Sequence, residues 1–517
     1  MKTLLFFVVC LATAAGISTT GFAADATKSP PNIVFIFSDD HAWQAISAYG
    51  DARKLNETPN IDRIAKNGMR FDRCLVPNPL CGPSRACVLT GTYNHINGFV
   101  NNSNCAFDGS QVTFPKLLQR AGYQTAIIGK WHLETDPTGF DFWQILPGQG
   151  IYYNPPMIRN GEKVQTEGYV TDIITDLSLD WLKNRDRKKP FLLMMHHKAP
   201  HRWWEPALRD LDADHGRHYD EPPTLFDDYS GRGPAVHDQD MTIAHTLTDR
   251  DLKLIPMVDL TPEERKRWDE YYGPRNAEFR KQNLKGDDLV RWKYQRYLHD
   301  YLACIRAVDD SVGRVLDYLD AAGLAENTIV VYASDQGFFM GEHGWFDKRW
   351  IFEESMKTPF VVRWPAVIKP GSVNTQIVSN IDFAETFLDA AGVAVPSEMQ
   401  GRSLLPLFKD EHTDWRTSFY FQYFEYPEPH RVRPHFGVVT DRYKLVHYFG
   451  PGGDDYTELY DRVSDPREMK DVAKEAKYAD TKADLEKELT RLRKELKVPD
   501  EVPAYWFGGK RPESGKL

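Results

Sequence analysis

Five short segments hold the residues of this 517-residue chain best suited to chemistry. Asp39 and Asp40 follow an apolar run at 32–38, and Lys130 and His132 follow a second at 124–128. His196, His197, Lys198 and His201 stand at and beyond the end of a third, 191–196, and Asp335 and Gln336 follow a fourth, 328–333. Asp39, Asp40, Asp335 and Gln336 offer only oxygen, the donor set that Ca²⁺ or Mg²⁺ prefers. Adjacent carboxylates repel unless a cation lies between them. The nearby histidines would suit zinc instead, and Asp39 taken alone is a plausible cap for the next segment. The fifth segment is Cys81-Gly82-Pro83-Ser84-Arg85, a thiol four residues ahead of a guanidinium. Of six cysteines, Cys10 lies in the N-terminal apolar run, and the five that remain leave at least one unpaired.

For these segments to form one site, the chain must bring them to one edge. The four apolar runs read as buried strands, and helical patterns alternate with them. Phe114, Leu117, Leu118 and Ala121 share a face ahead of Gly122, and Leu298, Tyr301, Ile305, Val308, Val312, Val315 and Leu319 keep helical spacing. Strands separated by helices predict an α/β fold: a large, mostly parallel sheet with helices on both faces. Such sheets bind ligands outside the carboxyl ends of their strands, where the polar segments fall. Residues 205–288 are charged, Pro- and Asp-rich and weakly periodic, and read as an excursion covering the site. After a boundary near 401–410, runs at 418–424 and 436–449 predict a smaller antiparallel-sheet subdomain. It ends in an amphipathic helix carrying Leu485, Leu489, Leu492 and Leu496.

A formal charge of −10 argues against a nucleic-acid partner. Lys2 followed by the apolar run 4–15 reads as a signal peptide ending near 23, which predicts export. No later run is long enough to span a membrane in the mature chain. The expected organisation is signal peptide 1–23, catalytic domain 24–405 and C-terminal subdomain 406–517.

The Cys81–Arg85 segment resembles the modification motif of the formylglycine-dependent sulfatases, Cys-x-Pro-Ser-Arg. Further resemblances are Leu89-Thr90-Gly91, Gly129-Lys130-Trp131-His132, Ala199-Pro200-His201, Ser334-Asp335-Gln336-Gly337 and Glu458-Leu459-Tyr460-Asp461. Together they cover roughly residues 31–496 of the chain. The resemblance implies that a formylglycine-generating maturation enzyme oxidises Cys81 to an aldehyde, whose hydrate attacks the sulfur of a sulfate ester. It implies Ca²⁺, with Mg²⁺ second, held by Asp39, Asp40, Asp335, Gln336 and modified Cys81. It further implies that Arg85 holds the formylglycine and the metal carboxylates, and that Lys130 and Lys348 bind sulfate. His132 is then the base of the elimination, His201 the general acid, and His95 a candidate for orienting the diol. Where the family often has Asn, Gln336 keeps the carbonyl on a longer arm.

Several runs, among them Gly344-Trp345-Phe346-Asp347-Lys348-Arg349, are most similar to bacterial N-acetylglucosamine-6-O-sulfatases. The expected substrate is therefore 6-O-sulfated N-acetylglucosamine of a glycosaminoglycan or mucin-type glycan. Asp347 and Arg349 would bind the sugar, with His430 and His435 closing the pocket. The expected location is periplasmic in a bacterium, secreted or lysosomal otherwise. The competing readings are a sulfatase of another sugar, a formylglycine-dependent phosphonate or phosphate monoester hydrolase, and a carbohydrate-binding protein that has lost catalysis. Against the last, no residue of the motif set is damaged.

Peptide mass spectrometry of active protein should find an aldehyde in place of the Cys81 thiol, and Cys81→Ser should lose turnover. Full activity with an unmodified thiol at position 81 would contradict this reading.

Overall fold

Strand β1 (Asn32–Ser38) turns Ile33, Phe35 and Phe37 to one side and Val34 and Ile36 to the other, and all five are fully buried. A strand apolar on both faces belongs in the middle of a sheet covered on both sides. The structure is a computed structural model that describes residues 29–213, 216–427 and 429–508. The expected signal peptide, 1–23, lies outside the described residues.

The strands that follow are β2 (Met69–Leu75), β3 (Gln124–Lys130), β4 (Phe142–Leu146), β5 (Pro156–Arg159), β6 (Glu162–Gln165), β7 (Phe191–His196) and β8 (Thr328–Ser334). A short hairpin, β9 (Phe339–Met340) and β10 (Phe346–Asp347), precedes β11 (Lys357–Arg363), β12 (Ser372–Asn374) and β13 (Val378–Ser379). Eleven strands form one sheet in the order β12-β2-β11-β8-β1-β7-β3-β4-β5-β6, with β13 also on β2. The centre, β8-β1-β7-β3-β4, is parallel. The sheet is mixed at its sides: β11 runs antiparallel to both β8 and β2, so β2 runs the same way as β8.

Two cores follow from the alternation. Val34, Ile36, Ile128, Met195 and Tyr332 pack with helices Pro59–Lys66, Val170–Asn184 and Gly286–Ala321. Phe35, Phe37, Ile127, Met194 and Val331 pack with helices Cys81–Thr90, Phe114–Arg120 and Asp382–Ala390.

The register aligns the strand ends. Phe37 pairs with His196, Gly129 with His196 and Ser38 with Ser334. The carboxyl ends of β1, β3, β7 and β8 therefore share one edge. Gly129 is required there: its φ is +108° and a Cβ would lie 1.9 Å from the His196 carbonyl oxygen.

The C-terminal sheet has four antiparallel strands, β14 (Ser418–Tyr423), β15 (His435–Thr440), β16 (Tyr443–Tyr448) and β17 (Tyr456–Asp461). The single strand expected over 436–449 is in fact a hairpin that turns between Thr440 and Tyr443. Helix Ala479–Glu495 covers this sheet through Leu485, Leu489 and Leu492.

The excursion is more regular than its periodicity suggests. It contains helix Pro262–Gln282, opened by a capping box between Thr261 and Glu264, and the helix expected from 298 already starts at Gly286. Helix Pro262–Gln282 is charged on most faces and buries only Trp268, Tyr272 and Asn276, so hydrophobic spacing does not reveal it. All five cysteines among the described residues are buried free thiols. Among those residues no helix is long and apolar enough to cross a membrane.

Candidate active site

Asp39, Asp40 and Asp335 leave adjacent strands and meet: one carboxylate oxygen of each lies within 4.8 Å of the other two. All three side chains are buried. The turn that makes this possible places Asp40 at φ +65°. Tyr301, from helix Gly286–Ala321, holds that turn. Its hydroxyl donates to the Asp40 carbonyl oxygen at 2.6 Å and accepts from the Ala42 N–H at 2.7 Å.

Three cations face the three carboxylates. Arg85 donates to Asp335 Oδ2 through Nε at 3.2 Å and Nη2 at 2.9 Å, and to the Lys130 carbonyl through Nη1 at 3.2 Å. Lys130 pairs with Asp39 and also reaches Gln149 Oε1 at 2.5 Å. Lys348 Nζ lies 2.5 and 2.7 Å from the two Asp40 oxygens and 3.4 Å from Cys81 Sγ.

The charge balance is strained even so. Burial, and then Asp39, push Asp335 up to about 8 against the pull of Arg85. Burial raises Asp40 to about 6 against Lys348. For Asp39, burial is outweighed by Lys130, His201, Arg85 and Lys348, which hold it well below the usual carboxylate range. Asp39 Oδ1 and Gln336 Oε1 are buried without any hydrogen-bond partner. Orphaned oxygens beside crowded carboxylates fit a hard divalent cation, and Asp39, Asp40, Asp335 and Gln336 supply oxygen donors only. With the three carboxylates and three cations ionised, such an ion leaves the site positive and suited to an anionic substrate.

Cys81 opens the fully buried helix Cys81–Thr90. Asp39, Cys81 and His201 also converge as one group. Burial, then Asp39, push the thiol up, so unmodified Cys81 is protonated and a poor nucleophile. The helix start is fixed by close packing: a Cβ on Gly82 would meet Phe99 at 2.4 Å.

His132 is buried and His201 half-buried at this centre, and desolvation lowers both well below an ordinary imidazole. His132 Nδ1 has no partner. His201 Nδ1–H donates to the Arg202 carbonyl at 2.6 Å, which leaves Nε2 facing Asp40 Oδ2 at 3.7 Å. His196 and His197 do not join the centre. The former lies against Arg85 and the Lys130 carbonyl, and the latter faces Ser311 in the helical core. Lys198 is buried over the Tyr152 ring at 5.0 Å, and burial, then Lys130, lower it to about 8.

Asp347 and Arg349 flank Lys348 at φ +80° and +90°, a left-handed conformation disfavoured for both residue types. Arg349 pairs with Asp347, whose other oxygen lies 3.2 Å from His430 Nε2. The Arg349 Nε is buried without a partner.

Two expected residues fall elsewhere. His95 bonds Gln422 Oε1 at 3.0 Å and the Leu496 carbonyl at 2.9 Å, so both ring nitrogens tie the helix region to the C-terminal sheet and neither orients a group at Cys81. His435 is wholly buried, accepts from Ile351 N at 3.2 Å, donates to the Arg433 carbonyl and stacks on Phe421; it is core, not pocket wall. Conversely, Tyr301, Asn102 and Glu425 carry no local signal. Asn102 accepts from Gly82 N at 3.2 Å, and its own N–H donates to Glu425 Oε2 at 2.7 Å, across 323 residues of sequence.

The sheet brings three carboxylates, three cations and the Cys81 thiol to one edge, a site suited to an anionic ester. The chain belongs to the sulfatase family: the family profile described as Sulfatase matches residues 31–393, and that described as N-sulphoglucosamine sulphohydrolase, C-terminal, matches 341–495. It is a sulfuric ester hydrolase. It is 49% identical to an N-acetylglucosamine-6-O-sulfatase of Bacteroides thetaiotaomicron over 93% of this chain and 90% of that one. It is 28% identical to the human N-acetylglucosamine-6-sulfatase over 78% and 69% of the two chains. A solved structure of a protein bound to its substrate D-glucosamine-2-N,6-O-disulfate superposes with a TM-score of 0.89 at 48% identity, covering 91% of this chain and 99% of that one.

Tyr301→Phe should weaken Ca²⁺ binding, measured by titration calorimetry, by about tenfold while the protein stays folded, as loss of a supporting hydrogen bond behind a ligand does. Unchanged affinity would mean that the Asp40 turn holds its shape without the tyrosine.

Proposed function

We propose that this sulfatase is exported and removes the 6-O-sulfate of N-acetylglucosamine, free or at the non-reducing end of a glycosaminoglycan or mucin-type glycan. The observation that carries the reading is the group Asp347, Arg349 and His430 beside Lys348. An ester held at Lys348 brings its sugar hydroxyls to a carboxylate, a guanidinium and an imidazole. A primary sulfate hangs from the ring on a flexible methylene, so contacts beyond the sulfate must fix the sugar. The activity given for the Bacteroides relative supports the same sugar. The solved neighbour's substrate carries an ester at the same 6-position.

Calcium, held by Asp39, Asp40, Asp335 and Gln336, supplies positive charge that acidifies an oxygen acid beside it. Formylglycine at position 81, installed by a maturation enzyme, supplies the nucleophilic oxygen in hydrated form. Arg85 keeps Asp335 oriented. Lys130 and Lys348 bind the sulfate oxygens and offset charge as the ester bond breaks. His201, anchored through Nδ1–H, presents Nε2 to the leaving alcohol; the bound anionic ester favours its imidazolium, which carries a second proton on Nε2 and passes it to the alcohol oxygen as the ester bond breaks. His132, neutral and buried with a free Nδ1, accepts the proton released at residue 81.

On a panel of sulfated monosaccharides with an aryl sulfate and phenylphosphonate, 6-O-sulfated N-acetylglucosamine should have the highest kcat/KM. Arg349→Ala should reduce kcat/KM on that sugar by about a hundredfold, as expected when a buried hydrogen-bonding partner of a substrate hydroxyl is lost, and much less on the aryl sulfate. Equal losses on both would make Arg349 a support of the fold. A clear preference for a 2-O- or 4-O-sulfated sugar would overturn the sugar, and one for the phosphonate would overturn the ester.

A further inference from the structure

Gln149 sits at the tip of a tight turn. Gly150 N donates to the Pro147 carbonyl at 2.9 Å, and the flanking Gly148 and Gly150 have φ of +51° and +68°. The tip is exposed, yet Gln149 Oε1 accepts from Lys130 Nζ at 2.5 Å, and Lys130 is wholly buried. The turn is anchored on the active-site side. Tyr152 donates its hydroxyl to the His201 carbonyl at 2.5 Å, and Tyr153 donates to the Pro206 carbonyl. A Cβ on Gly150 would lie 2.8 Å from Leu146 Cδ1, so the turn is also packed against the end of β4.

Chemistry fixes how the amide is turned. An ammonium only donates, so the amide oxygen faces Lys130 and Nε2 faces away from it. Among the described residues Gln149 Nε2 has no hydrogen-bond partner. Both heteroatoms share one carbon, so Nε2–H lies within reach of an acceptor next to a group held by Lys130. The Lys130 ammonium has three N–H bonds: Asp39 takes one and Gln149 another, which leaves one for a sulfate oxygen. The exposed amide stands outside the buried ammonium, on the solvent side, where the alcohol part of a bound ester has to lie. A neutral amide there tolerates an anionic ester that a carboxylate would repel.

We propose that Gln149 is a specificity-determining residue. Through Oε1 it aims Lys130 at the sulfate, and through Nε2–H it bonds a sugar oxygen beside the ester carbon, which for a 6-sulfate is the ring oxygen or the 4-hydroxyl. This assignment rests on Lys130 as a sulfate-binding residue and on the reading of the ester as a sugar sulfate. The 2-substituent lies across the ring from a 6-sulfate, too far for a group that touches Lys130. Asp347 and Arg349 come with Lys348 from β10 and the loop after it, and His430 from the C-terminal subdomain, whereas Gln149 comes from the turn after β4. The sugar is then met by separate parts of the chain.

The test uses the full, active enzyme with three ligands: the sulfated monosaccharide it hydrolyses fastest, a small aryl sulfate, and inorganic sulfate as a competitive inhibitor. Gln149→Ala should lower kcat/KM on the sugar by about tenfold, mostly through KM, as loss of one neutral hydrogen bond to the substrate does. It should change kcat/KM on the aryl sulfate and the inhibition constant of free sulfate by less than about threefold. Gln149→Leu, which keeps the bulk of the side chain, gives the same reading should Gln149→Ala fail to fold. Parallel losses on all three ligands would overturn the proposal, since Gln149 would then serve Lys130 alone, and so would an undiminished kcat/KM on the sugar. A loss that vanishes when a hydroxyl replaces the 2-acetamido group would overturn the assigned oxygen. A fastest sugar other than 6-O-sulfated N-acetylglucosamine would fault the substrate reading, and a larger Gln149→Ala loss on that sugar than on the aryl sulfate would still uphold this one.

Discussion

Three carboxylates buried within 4.8 Å of one another are the constraint on which the rest of this molecule depends. Like charges that close, shielded from water, cannot all ionise unaided. The chain answers with Arg85, Lys130 and Lys348, each buried and each drawn to one of the acids. That arrangement needs contributions from β1, β3, β8, the start of helix Cys81–Thr90 and the loop after β10. The mixed sheet supplies them by aligning its carboxyl ends. Even so, two oxygens, Asp39 Oδ1 and Gln336 Oε1, stay unsatisfied, which is the physical argument for a hard cation.

The residues proposed to read the sugar depend on a second arrangement, a strap drawn from the excursion. Phe346 N donates to the Met241 carbonyl at 3.2 Å and Ile243 N to the Gly344 carbonyl at 2.9 Å, so residues 241–243 run alongside the segment before Lys348. Asp240 N donates to the His430 carbonyl at 2.7 Å, which brings the C-terminal subdomain to the same place. Deeper in, His343 bonds Asp227, and Arg232 pairs with that same carboxylate. The left-handed turns at Asp347 and Arg349 are thus held from two distant parts of the chain.

Much of the centre was legible because chemistry and position coincide. A pair of acids after an apolar run, and an acid with an amide after another, sit at strand ends by local sequence alone, and Cys81–Arg85 is a five-residue motif. The sheet was legible where strands are apolar on both faces; β2, with the pattern Met69-Arg70-Phe71-Asp72-Arg73-Cys74-Leu75, is only half-buried at Arg70, Asp72 and Arg73, and its place beside β11 depends on pairing across the whole chain. His95 and His435 show the converse. An imidazole can serve a diol, a carbonyl or an aromatic stack, and sequence does not say which; here both satisfy buried partners far away in the chain. Tyr301 was visible as a core residue of its helix, but its bond to the Asp40 carbonyl links positions 261 apart.

The most direct test of the central claim is the thermal stability and metal binding of chelator-treated protein. The carboxylate cluster predicts one Ca²⁺ bound per chain by calorimetry, a rise in Tm on its addition, and loss of both effects in Asp335→Ala. A cluster equally stable with and without Ca²⁺, or one restored only by Zn²⁺, would contradict the account.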